Sequence, residues 1–600
     1  MARPRPKPKQ SLSNQEIACA LREMALFLEM DGVAYKPRAY EKAAFVVESW
    51  ERPLSRVDAE SGASGLEALP TVGEHIAGKI HELVTTGRIA ALEHMRRRTP
   101  VDVLGLTAVE GLGPRRLRAL HDALGIRDLG DLERACREGR VRQLPGFGVR
   151  SEASLLRGIE LLAGSAGRRL LGHVLPVARA IEAQLGALPG VVKCQTAGSL
   201  RRRAETVGDL DFLAAARDPA AVTRAFTELP DVETVYALGD TKALVRLADG
   251  MDADLRVVEP ASYGAALCYF TGSKAHSLAL RRRARRRGLK LNEYGLFSGD
   301  RRLASRTEEG VYEALGLAWI PPELREDAGE IELAEAGQLP RLLEYGALRG
   351  DLKVHTDASD GDASIEEMAS AARELGLEYI AITDPARDLA AARGDREARL
   401  VLQTGCIRRL NARRRGFRVL SGAEVAIHRD GRLDVADDVL AGLDVVGAGV
   451  HDHFDLARDE MTQRVIRAME SPHVDILFHP TARSIGERDA ISLDIDAVIE
   501  AAVRTGTVLE IDARPERLDL CDTLVRRAVE AGALLAIDSG ARAPSHLADA
   551  DLLGVAVARR GWARRHDVVN TLPVEPCLAR LKNGARSPRK KRGRRPSGRR

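Results

Sequence analysis

Two carboxylates on one short apolar run constrain this chain most: D-L-D-F-L-A-A-A, residues 209–216. The run reads as a buried strand, and residues two apart on a strand share a face, so Asp209 and Asp211 project into one place. Like charges held that close repel unless a cation lies between them, and Mg²⁺ favours oxygen ligands. Just ahead stands A-G-S-L-R-R-R, 197–203. Gly198 and Ser199 should open a helix with Arg202 one turn in. Free backbone N–H groups, a hydroxyl and a guanidinium then converge on a phosphate-rich ligand. Two-metal phosphoryl transfer needs a further carboxylate. M-D-A-D-L-R-V-V-E, 251–259, offers Asp254. Asp252 lies on the same strand face, and spacing alone does not exclude it. The parts in this order read as a nucleotidyl transferase.

Upstream, residues 14–50 show helical periodicity through Ile17, Leu21, Ala25 and Leu28, and 51–68 read as a loop and a short helix. Three segments of one shape follow: L-P-T-V-G-E-H-I-A-G-K-I (69–80), V-E-G-L-G-P-R-R-L-R-A-L (109–120) and L-P-G-F-G-V-R-S-E-A-S-L (144–155). Each places a Gly turn before a helix, at Gly73, at Gly111 and Gly113, and at Gly146 and Gly148. Such turns aim the N–H groups of the next helix outward, as a phosphate cradle. They resemble helix-hairpin-helix motifs, which hold DNA backbones without reading sequence. Thr71 stands where the first copy would carry a Gly, which predicts a strained loop.

Six hundred residues, 44% hydrophobic, exceed one core and call for several domains. The net charge of +4 conceals an asymmetry. Residues 1–10 carry four basic groups and 586–600 carry nine, with no acid in either, so the body between is about −9. Two basic arms suit contact with a polyanion, and a merely solvated tail is the plain alternative. No apolar run of ~18 residues predicts a membrane span, and the basic, Pro-rich start does not read as a signal peptide. Seven scattered cysteines without C-x-x-C suit a reducing cytoplasm.

The order G-S-x-R-R, G-D-x-D, D-L-R, Y-F-T-G-S (269–273) and N-E-Y (292–294) resembles the family X DNA polymerases from about residue 14 to 320. That resemblance implies two Mg²⁺ ions, with Mn²⁺ as an alternative, held by Asp209, Asp211 and Asp254. It implies that Gly198, Ser199, Arg202 and Gly208 hold the triphosphate, and that Arg256 pairs with a metal-site Asp when the enzyme is open. Tyr269, Phe270 and Gly272 would form the sugar-binding turn, and Arg281 would contact the template strand. Glu293 and Tyr294 would couple closure to nucleotide binding. Ser277 departs from the family, which has Asn there. A-Y-K-P-R-A-Y-E-K-A-A (34–44) and Lys79 resemble the family's lyase-type DNA-end domain, with Lys36 on a 5′-phosphate. Lys79 is either a Schiff-base lysine, which needs a lowered pKa, or a phosphate-binding one.

Beyond residue 349, D-L-K-V-H-T-D (351–357), A-I-T-D-P (381–385), G-A-E-V (422–425), V-H-D-H-F (450–454), I-L-F-H-P-T (476–481) and A-I-D-S-G-A-R (536–542) resemble a PHP phosphoesterase domain. The family fold is a distorted (β/α)₇ barrel with three metals. By that resemblance His355, Asp360, Glu424, His451 and His479 survive as ligands. Lys353, Pro385, Gly540 and Arg542 stand where four others belong. Added positive charge opposes a metal cluster, so the domain is expected to serve as a scaffold. Lys353 and Arg542 are expected to fill the vacated volume beside Asp360 or Glu424. His428 and His453 read as structural or surface histidines.

The expected architecture is multi-domain, α and α/β. A basic tail (1–13) precedes a helical lyase-like domain (14–95) and helix-hairpin-helix fingers (96–165). A nucleotidyltransferase palm (166–260), a small C-terminal α/β subdomain of thumb type (261–325), a linker (326–348), the PHP barrel (349–583) and a second basic tail (584–600) follow. The expected partners are gapped or nicked DNA, dNTPs and other repair proteins, in a bacterial, nucleoid-associated cytoplasmic setting with base excision repair or end joining as the role. The rivals are a 3′–5′ exonuclease acting through the PHP domain, a non-catalytic DNA-end scaffold, and a non-templated nucleotidyl transferase.

Overall fold

A computed structural model describes residues 12 and 14–582, except 34–35, 49, 51, 70, 108, 110–111, 150, 154, 157–158, 160–167, 388–395 and 414–415. Both basic tails, Gly111 and the start of the 34–44 stretch lie outside the described residues. The chain divides into two compact units after residue 167.

The first unit is helical. Ile17, Leu21 and Ala25 bury as the periodicity predicts, while Leu28 is half-buried and Met24 and Phe27 complete the stripe. Ile17, Leu21, Met24 and Phe27 pack with Ala43, Val47, Ile76, Ile80, Leu117 and Leu120 in one core. Helices Glu74–Thr86 and Pro114–Leu124 start on Gly73 and Gly113. Thr71 sits at φ +69°, the left-handed conformation expected of a missing glycine and costly for a β-branched residue.

The second unit is built on two sheets. The first has the strand order Val191–Thr196, Leu210–Ala216, Asp252–Val258, Lys242–Leu247, Val232–Leu238. Its two middle neighbours are parallel, with Asp211 beside Asp254. Strand alternation sorts the faces. Leu210, Phe212, Ala214, Ala253, Leu255 and Val257 enter the main core. Leu213 and Ala215, on the carboxylate face, are covered by Tyr263, Ala266 and Leu267 of the helix Tyr263–Thr271. That cover ends short of the aspartates. A three-stranded antiparallel sheet (290–304) and helices around Leu280, Val311 and Tyr312 form the small subdomain that follows.

The stretch 326–348, expected as a linker, is not a free connector. Helix Glu330–Ala336 adds Ile331, Ala334 and then Leu342 to that subdomain's core. Its apolar residues were too sparse to signal a helix alone, and packing supplies what periodicity lacked.

The second sheet is seven parallel strands in chain order, from Gly350–Val354 to Leu535–Asp538. First and last nearly close: Val354 bridges Ala541, and the Leu352 N–H donates to Asp538 at 2.9 Å. Gly447 faces the Phe478 ring, where a Cβ would lie 1.9 Å from a ring carbon. Gly447→Ala should therefore lower stability by about 1–3 kcal/mol through overpacking. An unchanged thermal unfolding midpoint would contradict this packing.

Candidate active site

Asp209, Asp211 and Asp254 converge at the open end of the palm strands. Burial, then the charges of Asp209 and Asp254, push the Asp211 carboxyl up to about 7. Burial and Asp254 raise Asp209 as well. One Asp254 oxygen is buried without a hydrogen bond among the described residues. Crowded, under-satisfied carboxylates are what a divalent cation relieves, so these residues fit the metal ions that the site's chemistry requires.

Register separates Asp254 from Asp252. Arg246 stands opposite Asp252 across the antiparallel pair and donates to it at 2.9 Å. Asp254 instead has Lys242 Nζ at 3.0 Å and Arg256 Nε at 3.4 Å. Sequence reasoning missed Lys242. Charge complementarity between paired strands was the available signal, once the register was known.

The Gly198–Arg201 turn of helix abuts Asp211. Gly198 lies at φ +57°, and a Cβ there would come 2.0 Å from an Asp211 oxygen. Only glycine lets the helix start and the carboxylate approach so closely. Ser199 follows it, half-buried. Gly208 precedes Asp209, and Arg168 is the nearest group to it. Arg202 is engaged: it donates to the Thr271 carbonyl at 2.5 Å and to Glu326 at 3.1 Å. Gly272 packs on the Arg202 guanidinium. Arg201, not singled out in sequence, grips Glu308 through two bonds of 2.7 and 2.8 Å. Arg325 joins Glu308 at 2.7 Å. Burial opposes the Glu308 charge, but the two arginines outweigh it and hold that carboxyl well below its usual range.

Tyr269 is exposed and stacked edge-on to Phe270, with Arg281 over its ring and Arg256 over that of Phe270. Ser277 is buried, and its carbonyl accepts from Arg281. Asn292 closes the Lys290–Ser298 hairpin, its Oδ1 accepting from the Tyr294 and Gly295 N–H groups, while Tyr294 points to solvent. In the first unit Lys79 pairs with Glu82 at 3.0 Å, and Lys36 is exposed at a helix start. A Cβ at Gly73, Gly113, Gly146 or Gly148 would meet open space. Internal packing does not require glycine there.

The barrel site is rewired. His479 and His451 reach one Glu424 oxygen at 2.8 and 3.2 Å, and His355 reaches the other at 3.2 Å. Arg542 pairs with Asp360 at 2.7 Å, as expected. Lys353 lies 3.9 Å from Glu424 but closer, 3.3 Å, to Glu510 and Asp512, which sequence reasoning did not name. The signal was V-L-E-I-D, two carboxylates on one face of a fully buried strand. Arg514 fills the space beside Gly540. Burial opposes the charge on Asp512, yet Lys353, Arg514 and Arg517 hold it ionised. Burial likewise opposes charging His355, but Asp360 and Glu424 lift it to about 9. Side-chain cations thus sit where a three-metal cluster needs empty, anionic space, and the residues do not fit one. Among the described residues, Glu424, His451 and His479 keep ligand atoms within 4.8 Å of one another. His428 and His453 line an open surface pocket with Arg429, Arg432 and Arg467.

A carboxylate triad on a mixed sheet, a glycine-started turn of helix pressed against it and a seven-stranded parallel barrel together define a nucleotidyltransferase joined to a parallel α/β barrel. The chain matches the helix-hairpin-helix domain at 12–89 and the tandem form at 103–160, the DNA polymerase beta thumb at 266–326 and the PHP domain at 351–505. It is 36% identical to the DNA polymerase/3′-5′ exonuclease PolX of Bacillus subtilis, over 95% of this chain and all of that protein. A probable phosphatase of Syntrophotalea carbinolica is 32% identical over 27% of this chain and 64% of its own length. Another, of Caldanaerobacter subterraneus, is 29% identical over 32% and 75%. The chain belongs to the family X DNA polymerases. Divalent-metal use follows from that membership. No described helix is long and apolar enough to cross a membrane.

Two outcomes follow from this geometry. Gly198→Ala should cut nucleotide addition by at least about 10²-fold, because it displaces the Gly198–Arg201 turn or Asp211; near-normal activity would contradict the close approach. Lys353→Met should cost about 3–5 kcal/mol in a denaturant titration, since it strands buried carboxylates. A neutral result would contradict the barrel's ionic core.

Proposed function

We propose that this chain adds deoxynucleoside monophosphates to a primer 3′-hydroxyl on a DNA template, releasing pyrophosphate, and that it fills short gaps during repair. The observation that carries this reading is the set of three crowded carboxylates, one of which, Asp211, lies against the glycine that starts the Gly198–Arg201 turn. Asp209, Asp211 and Asp254 would hold two Mg²⁺ ions, which supply charge neutralisation and lower the pKa of the primer hydroxyl. Lys242 and Arg256 hold Asp254 in place by ion pairs. The Gly198–Ser199 N–H groups and the Arg202 guanidinium receive the β- and γ-phosphates. Tyr269, Phe270 and Gly272 wall the sugar, and Arg281 lies where the template strand passes.

In the first unit, glycines not required for internal packing leave helix N-termini open to close approach by DNA phosphates. Lys79 carries either lyase chemistry or phosphate binding. Its 3.0 Å pair with Glu82 places an anion beside the amine in either role. The barrel acts as a scaffold. A residual one-metal exonuclease at Glu424, His451 and His479 is the second reading, supported by the closeness of those three ligands.

The test is primer extension on a one-nucleotide gap with a 5′-phosphate, in Mg²⁺ or Mn²⁺, with a lane lacking dNTPs. Asp254→Ala should lose about 10²–10³-fold or more in addition, as expected when a transition-state charge partner is removed. Asp252→Asn should retain most activity. No shortening should occur without dNTPs. Shortening by the wild type, abolished by Glu424→Gln, would establish the exonuclease reading instead for the barrel.

A further inference from the structure

The segment 321–328, between the thumb-type subdomain and the barrel, is clamped from two sides. Inward, fully buried Arg325 donates to Glu308 and, at 2.9 Å, to the Ile320 carbonyl, and lies over the Tyr312 and Trp319 rings. From the barrel, Arg559 donates to Glu323 at 2.8 Å, and Arg526 donates to the Ala328 carbonyl at 2.8 Å. Arg560 donates to Glu326 at 3.0 Å.

That last contact leads into the palm. The same Glu326 oxygen accepts from Arg202 Nε at 3.1 Å. The Arg560 nitrogen that meets Glu326 also donates to the backbone carbonyl of Arg202 at 2.8 Å. Arg560 is itself held on the barrel by Asp522, at 2.7 Å from both Nε and Nη2. Arg202 is thus fixed through Nε by Glu326 and through one terminal nitrogen by the Thr271 carbonyl. Its other terminal nitrogen has no hydrogen bond among the described residues. A guanidinium oriented by two of its nitrogens presents the third in a set direction, which is what a phosphate oxygen needs.

We propose that Arg560 and Asp522 of the barrel, acting through Glu326, are positioning residues that hold Arg202 for the triphosphate of the incoming nucleotide. The inference rests on the palm being the nucleotide site. It gives the barrel a part in nucleotide addition that needs no metal of its own. Glu326 shares its charge between two arginines, and Arg560 has Asp522 besides, so Arg202 is not fully neutralised and keeps attraction for phosphate.

The test is steady-state filling of a one-nucleotide gap by the full chain in Mg²⁺. Wild type is compared with Glu326→Ala, Arg560→Ala, Arg560→Lys, Asp522→Asn and the Glu326→Ala/Arg560→Ala pair. Arg560→Ala should raise the dNTP KM about 5- to 20-fold, the scale of one lost charge-assisted hydrogen bond. kcat should stay within about twofold, and the Kd for gapped DNA should not move. Arg560→Lys should recover part of the loss. The paired variant should be no worse than the poorer single one, because both act on Arg202. Asp522→Asn, nearly isosteric, should raise KM in the same sense and carries the test if Arg560→Ala does not fold. An unchanged KM in Asp522→Asn and Arg560→Ala overturns the proposal. So does a KM effect matched by equal losses in DNA affinity and kcat. A wild type that adds no nucleotide overturns the reading of the palm itself, whereas active wild type with indifferent variants overturns only the positioning role.

Discussion

Repulsion among three carboxylates organises the palm. Asp211 and Asp254 stand side by side because their strands are parallel and in register. Asp209 joins them because alternation returns every second residue to one face. Burial first, and then the charge of their neighbours, raises the Asp209 and Asp211 carboxyls. Everything around them answers that crowding. The helix start of Gly198 presses its backbone against Asp211, Lys242 and Arg256 flank Asp254, and Arg202 adds its field to Asp211. Crowding of this kind is what cations relieve, whether fixed side chains or a bound divalent metal.

The barrel solves the same problem in the opposite way. It too gathers carboxylates, at Glu424, Glu510 and Asp512, but meets them with Lys353, and meets Asp512 again with Arg514 and Arg517. Fixed cations in a buried site are indifferent to metal supply. They also remove the room and the field that a metal cluster would use. The barrel's outer arginines also grip the 321–328 segment, which in turn touches the residue read as the triphosphate arginine.

Much of the site was legible because its chemistry is local in sequence. Gly198, Asp209 and Asp211 fall within fourteen residues, and strand alternation places the carboxylates without further knowledge. The strain at Thr71 was legible too, from one residue out of place in a repeated turn. Other features depend on register or on distant partners. Asp252 and Asp254 look alike until Arg246 is seen across the sheet. Glu326 and Arg560 are separated by 234 positions, so no pattern in the chain joins them. The helix Glu330–Ala336 carries little periodicity and forms because a neighbouring core accepts Ile331 and Ala334. The replacement of a barrel ligand by Gly540 was visible, but not that Arg514, from another strand's end, would occupy the space.

The most direct measurement of the central claim is the identity and stoichiometry of the product on four gapped duplexes that differ only in the templating base. Each is incubated with all four dNTPs and Mg²⁺, and pyrophosphate is counted alongside. Template-directed nucleotide transfer requires the complementary base to dominate on every duplex, with one pyrophosphate released per nucleotide added. Addition that ignores the template, or primer change without pyrophosphate, would contradict the account.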